Sequence, residues 1–188
     1  MNPLGIVLLA EALLFAFGAL GMYALRAPFV ETPDSYRDTL AFLALYLVLK
    51  GSEALFARLF PDSYRIAEGL IRQVAARIPE RAVLPLALLS ALAEEVFFRG
   101  FLITLFERVV PPAAALFLAA FVFMLFHPVP DRRAYAYPLY VGLAGVFFGL
   151  TYLLTGSLVP GILAHYLVNA EGLLEARRGT SVPPGSVS

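Results

Sequence analysis

Apolar stretches about as long as a bilayer is thick follow one another along most of this chain, and that succession constrains the fold more than any single residue. A helix needs about 20 mostly apolar residues to cross the ~30 Å hydrocarbon core. Pro3 to Leu25 meets that length with one charge, Glu11. It lacks the basic lead-in and small-residue cleavage site of a secretory signal, so it reads as a retained first transmembrane helix. Further spans are expected from Thr39 to Phe60, Ala82 to Phe106, Pro111 to His127, Tyr137 to Leu154 and Ser157 to Leu174. Composition agrees: 60% of the 188 residues are apolar and 15% charged, against roughly 45–50% and 25% in soluble domains. A soluble globule of this size could not bury so much apolar surface.

Between the second and third spans, Pro61 to Arg81 is different. Arg65, Arg72, Arg77 and Arg81 alternate with acids, while Ile66, Leu70, Val74 and Ile78 recur every four residues. That pattern predicts an amphipathic helix lying at the membrane interface on anionic headgroups. The expected architecture is therefore all-α: a polytopic transmembrane bundle of about six spanning helices plus one interfacial helix, a single domain over residues 1–178. Residues 179–188, rich in Gly, Pro and Ser, are expected to form a disordered tail. With six spans, Arg58, Arg65, Arg72, Arg77, Arg81, Arg132, Arg133, Arg177 and Arg178 share one face, against Arg26, Arg37 and Arg108 on the other. The positive-inside rule then puts both termini in the cytoplasm.

The zero net charge leaves no electrostatic footprint for nucleic acid. The absence of cysteine removes disulfides, thiolate metal sites and a cysteine nucleophile.

The informative residues are charges where lipid should be. Each costs about 2.5–3.5 kcal/mol at the bilayer centre on the insertion scale, yet Glu94, Glu95 and Arg99 lie within six positions of one span. Such a cluster must face a protein interior or a wet cavity, as a functional site or as a structural ion-pair lock. Glu95 and Arg99, four apart, are spaced to pair on one helix face. Glu94 lies about 100° away, unpaired and suited to act as a general base. The two histidines, His127 and His165, are also at membrane depth, and Asn169 follows His165 by four residues, so that the two can present hydrogen-bond donors to an oxyanion.

Aspartyl chemistry lacks intramembrane aspartates, a His-Glu-x-x-His zinc motif is absent, and no serine sits in a recognisable nucleophile motif. Water activated by Glu and His remains; metal binding through Glu94, Glu95, His127 and His165 stays chemically open.

Three segments, Glu94-Glu95-Val-Phe-Phe-Arg99, Phe123-Met-Leu-Phe-His127 and His165-Tyr-Leu-Val-Asn169, follow in order on successive apolar stretches. They resemble the three motifs of the CAAX-protease and bacteriocin-processing family, also called ABI, over about residues 85–174. The resemblance implies a glutamate-type intramembrane endopeptidase. Glu94 and His127 would activate the attacking water, His165 and Asn169 would form the oxyanion site, and Glu95, Arg99 and Phe123 would support them. It implies no metal and no cofactor, a membrane-embedded or lipid-anchored peptide or protein as substrate, and a prokaryotic cell membrane as the location. A non-catalytic use of the same fold, as in bacteriocin self-immunity, is the alternative; a proton-coupled carrier is a third reading, against which no internal repeat is found.

Elsewhere the plain readings are structural. Gly145 and Gly149 form a small-residue face for close helix packing. Glu11, Lys50 and Glu53 are expected to pair between the first two helices, in preference to gating substrate. Tyr135, Tyr137 and Tyr140 suit an interfacial aromatic belt.

Overall fold

The computed structural model describes residues 3–129 and 131–180. Helices α1 (Pro3–Leu25), α2 (Ser35–Leu59) and α3 (Pro61–Ala75) come first. Next is α4 (Glu80–Glu94), which continues without a break as a π-helical segment, Glu95–Ile103, and a closing turn, Thr104–Phe106. Helices α5 (Pro112–Leu125), α6 (Ala136–Thr155) and α7 (Val159–Thr180) complete the fold. A single β-bridge, Val30 to Ser157, ties the α1–α2 loop to the α6–α7 turn.

Local chemistry sets the boundaries. Asp34 caps α2 by accepting from the Arg37 amide at 3.0 Å, satisfying one of the free amides of a helix start. Pro61 and Pro112 open α3 and α5, where a missing N–H costs nothing. Pro79 excludes the helical conformation from the residue before it, so α3 stops at Ala75 and Ile78 leaves the expected amphipathic face for the core, 4% exposed. Gly156 closes α6 with φ +61°, a left-handed conformation that glycine adopts freely.

Among the described residues, three helices are long and apolar enough to cross a membrane by length and composition alone: Leu4–Leu25, Ser35–Leu59 and Arg132–Thr155. Helix α5 is apolar but has 14 residues, about 21 Å of helix. The other two expected spans, α4 with its π-helical extension and α7, are not among them. These two form the interior of the bundle. Helix α1 packs on α4 and on the π-helical segment, α2 on α6 and α7, α5 on α6, and α4 on α7, while α3 packs against α7. Arg177 of α7 donates to the carbonyls of Ala75 and Ile78, fixing α3 there. Helix α7 runs through Thr180 and takes in the first two residues of the expected tail; residues 181–188 lie outside the described residues.

The small-residue face of α6 is where expected. A Cβ on Gly145 would lie 3.0 Å from the Phe123 ring, and one on Gly149 would lie 3.2 Å from Ile103. The charge pairing between the first two helices is corrected. Lys50 pairs with Glu53 at 3.1 Å and with Glu171 of α7 at 3.5 Å, and Glu11 points elsewhere, into the cavity described below. The aromatic belt is also corrected: Tyr135 is exposed, but Tyr137 and Tyr140 line that cavity, with Tyr140 stacked on Phe56 at 4.8 Å.

Candidate active site

A cavity of about 470 Å³ opens between α1, α2, α3, α4, α6 and α7. Glu94, His127, His165 and Asn169 all line it. Three chain segments, each apolar on its own, thus bring their polar residues to one place.

Glu94 ends the regular part of α4. Its Oε1 accepts from Ser90 Oγ at 2.9 Å, one helical turn earlier. Its Oε2 is buried and has no hydrogen-bond partner among the described residues. That oxygen lies 3.6 Å from His165 Nε2 and 4.0 Å from His127 Nε2. Two imidazole nitrogens therefore converge on one carboxylate oxygen.

The other nitrogen of each ring fixes its tautomer. His127 Nδ1 lies 2.9 Å from the Phe123 carbonyl; a carbonyl only accepts, so Nδ1 carries the proton and, in the neutral ring, Nε2 presents a lone pair to the cavity. His165 Nδ1 lies 2.9 Å from Glu95 Oε1. Glu95 Oε1 also faces the Arg99 guanidinium at 3.1 Å, so it serves as acceptor to the His165 Nδ1–H. A carboxylate behind a histidine orients the ring and stabilises it when it takes a second proton. Phe148, 4.9 Å from the His165 ring centre, packs against it.

The Glu95–Arg99 pair is fully interior, at 1% and 2% side-chain exposure. The guanidinium also lies 4.4 Å from the Phe123 ring centre and 4.8 Å from that of Phe148, and it donates to the Gly145 carbonyl at 3.5 Å. Gly145 thus serves the site as well as the packing. Winding in the π-helical segment begins at Glu95; such segments are rare and concentrate at functional sites, and here the wide turns keep Glu95 and Arg99 on one flank. Phe123 supports the site twice, through its carbonyl to His127 and through its ring, 4.6 Å from the His127 ring centre.

Asn169 stands four residues after His165 on α7, on the same cavity wall. Among the described residues no group of three or more His, Asp or Glu is arranged to hold a metal ion. Arg99 and His165 both engage Glu95, through the same oxygen, Oε1.

Three participants went unread in the sequence. The Glu95–His165 bond joins residues 70 apart, and no local pattern signals it. Ser90 has a signal, a hydroxyl one turn before a carboxylate. Glu11 has one too, as the sole charge of α1.

A family model described as Rce1-like, type II CAAX prenyl endopeptidase Rce1-like, matches residues 80–170, a little under half of the chain. The match runs from the start of α4 into α7 and takes in Glu94, Glu95, Arg99, Phe123, His127, His165 and Asn169. No curated protein and no solved structure matches the chain.

Proposed function

Because residues 80–170 belong to the CAAX-protease family, we propose that the cavity hydrolyses a peptide bond of a membrane-embedded or lipid-anchored substrate, with Glu94 and His127 activating water. The observation that carries this reading is the buried Glu94 Oε2, with two imidazole nitrogens facing it at 3.6 and 4.0 Å. A separation of 4.0 Å is too long for a direct hydrogen bond and suits one water held by both groups. Glu94 takes the proton of that water as it attacks the scissile carbonyl, and returns it to the leaving amine. His165, backed by Glu95, supplies an Nε2–H when protonated; with the Asn169 amide it receives the charge that develops on the carbonyl oxygen.

Arginines on one face of the chain support a cytoplasmic location for both termini. In that orientation the Arg-rich α3, which lines part of the cavity, lies at the cytoplasmic leaflet, where a lipid-anchored segment can reach it.

The test is cleavage by protein purified in a mild detergent, using fluorogenic prenylated and membrane-active peptides, with wild type, Glu94→Gln and His165→Ala run with and without a chelator. Cleavage should fall at least about 100-fold in Glu94→Gln and about 100-fold in His165→Ala, and the chelator should leave the wild type unchanged. A Glu94→Gln protein that cleaves at the wild-type rate would refute the mechanism.

A further inference from the structure

Ser90 lies one helical turn before Glu94, inside the matched segment but outside all three motifs, and it lines the cavity. A serine or threonine within a helix can spend its hydroxyl proton on a carbonyl of the preceding turn. Other hydroxyls in the helices of this protein do so. Thr39 donates to Ser35 at 2.7 Å, Ser52 to Leu49 at 2.8 Å and Thr104 to Gly100 at 2.8 Å. Thr151 donates to Phe147 at 2.9 Å, and Thr155 to Thr151 at 2.8 Å. Ser90 turns the other way along its helix and donates to Glu94 Oε1 at 2.9 Å. Its proton goes to a side chain of the candidate site instead of to its own backbone.

What that bond fixes follows from the carboxyl group it holds. The last torsion of a glutamate side chain is broad and two-fold, so a carboxyl group without an anchor rotates readily about it. Glu94 Oε2 has no hydrogen-bond partner among the described residues, and the bond that sets the plane of the group is the one from Ser90 to Oε1. With Oε1 tied back along α4, Oε2 is the oxygen that faces His165 Nε2 at 3.6 Å and His127 Nε2 at 4.0 Å. The two rings are anchored from behind in the same manner, His127 Nδ1 on the Phe123 carbonyl and His165 Nδ1 on Glu95. Ser90 supplies the third anchor, so each of the three groups that converge in the cavity is held from outside the point of convergence.

We propose that Ser90 is a positioning residue of the hydrolysis: its hydroxyl holds Glu94 Oε1 and thereby keeps Oε2 turned toward the two imidazoles, in place to take the proton of the attacking water. The kinetic part of this inference rests on the peptidase reading; the contact between Ser90 and Glu94 does not.

A pair of variants of nearly equal shape separates the hydroxyl from its bulk: Ser90→Thr keeps the donor, and Ser90→Val lacks it. Ser90→Ala removes the donor with no added volume and favours the helix. In cleavage assays Ser90→Ala and Ser90→Val should lower kcat about 10- to 100-fold, the worth of one hydrogen bond to a charged group. KM should stay within about twofold, because an interaction that serves only the chemical step has been removed. Ser90→Thr should stay within about fivefold of wild type. Infrared difference spectra of the protein in lipid bilayers, without substrate, read the contact itself. The Glu94 carboxyl band, assigned by its loss in Glu94→Gln, should move in Ser90→Ala and Ser90→Val and keep its wild-type position in Ser90→Thr. A Ser90→Ala protein with wild-type kcat, a Ser90→Thr protein as impaired as Ser90→Val, or a band that Ser90→Ala leaves in place would each overturn the proposal. A band that moves in Ser90→Ala, together with a wild type that cleaves no peptide, would refute the peptidase reading and leave Ser90 established as the anchor of Glu94.

Discussion

Replacing Glu95 by Gln asks what the interior ion pair contributes. Glu95 and Arg99 are 1% and 2% exposed, and removing one partner of a buried pair costs about 3–5 kcal/mol, because the other charge is left uncompensated. Arg99 keeps some compensation in Glu95→Gln: the faces of Phe123 and Phe148, at 4.4 and 4.8 Å, are each worth about 0.5–2 kcal/mol to a cation. The expected loss is therefore near the low end, about 3 kcal/mol. Arg99→Met is gentler, because Glu95 still accepts from His165 Nδ1 at 2.9 Å, and a loss of about 2 kcal/mol is expected. The double variant carries no interior charge at this place and should be little worse than Glu95→Gln alone, giving a coupling energy of about 2 kcal/mol. The chain has no tryptophan, so unfolding is best followed by circular dichroism in a denaturant titration of the protein in mixed micelles, or by steric trapping in bicelles. Losses that add to within about 0.5 kcal/mol would refute the reasoning. They would mean that water reaching the pair from the cavity screens it, and that Arg99 is held by the aromatic rings alone.

Two further outcomes follow from the geometry. A Cβ on Gly161 of α7 would lie 2.8 Å from Glu95 Oε2, so Gly161→Ala should push Glu95 off His165, lower kcat at least about tenfold and destabilise the fold by about 1–3 kcal/mol; wild-type kcat in this variant would show that the Glu95–His165 bond does not matter to catalysis. Burial, and next to it the Glu31 carboxylate, hold Glu107 above the usual carboxylate range. The folded state then binds this proton more tightly than the unfolded chain, so its contribution is fully present below the ordinary carboxylate pKa and is lost as pH rises through the raised one. As pH rises through and above the ordinary carboxylate range, the thermal midpoint of wild type should fall relative to that of Glu107→Gln, and parallel midpoints would refute the assignment.

What could be read in the sequence depends on the range over which a pattern acts. The Glu95–Arg99 pair and the shared face of His165 and Asn169 follow from a spacing of four within one helix. The close packing at Gly145 and Gly149 follows likewise. The register between helices is not encoded in any such spacing. Glu11 is expected beside Lys50 and Glu53 because charges in neighbouring spans attract, yet the rotation of α1 turns it into the cavity instead: Leu4 packs against Ile78, Val83 and Leu86, and at Gly18 a Cβ would lie 2.8 Å from the Phe97 backbone. Tyr137 and Tyr140 suit an interfacial belt by position alone: near a span end, an aromatic on a cavity wall and one in a headgroup belt look alike. The π-helical winding after Glu94 left no trace in the apolar period, since Val96, Phe97, Phe98, Phe101 and Leu102 suit either winding.

That division has a consequence for how the protein is organised. Every group that touches the reacting centre in the proposed mechanism lies between Glu94 and Asn169, inside the matched segment 80–170. The opposite part of the cavity wall is built by residues before it, among them Val7 and Glu11 of α1, Glu53 and Phe56 of α2, and Tyr64 and Ile71 of α3. Helix α3 is held against α7 by the Arg177 contacts, and its Tyr64 and Glu68 line the same cavity as Glu94. In the proposed mechanism the motifs carry the chemistry, and the first three helices supply the rest of the cavity lining. Selectivity among membrane substrates is therefore to be sought in α1 to α3, in residues that no motif would have singled out.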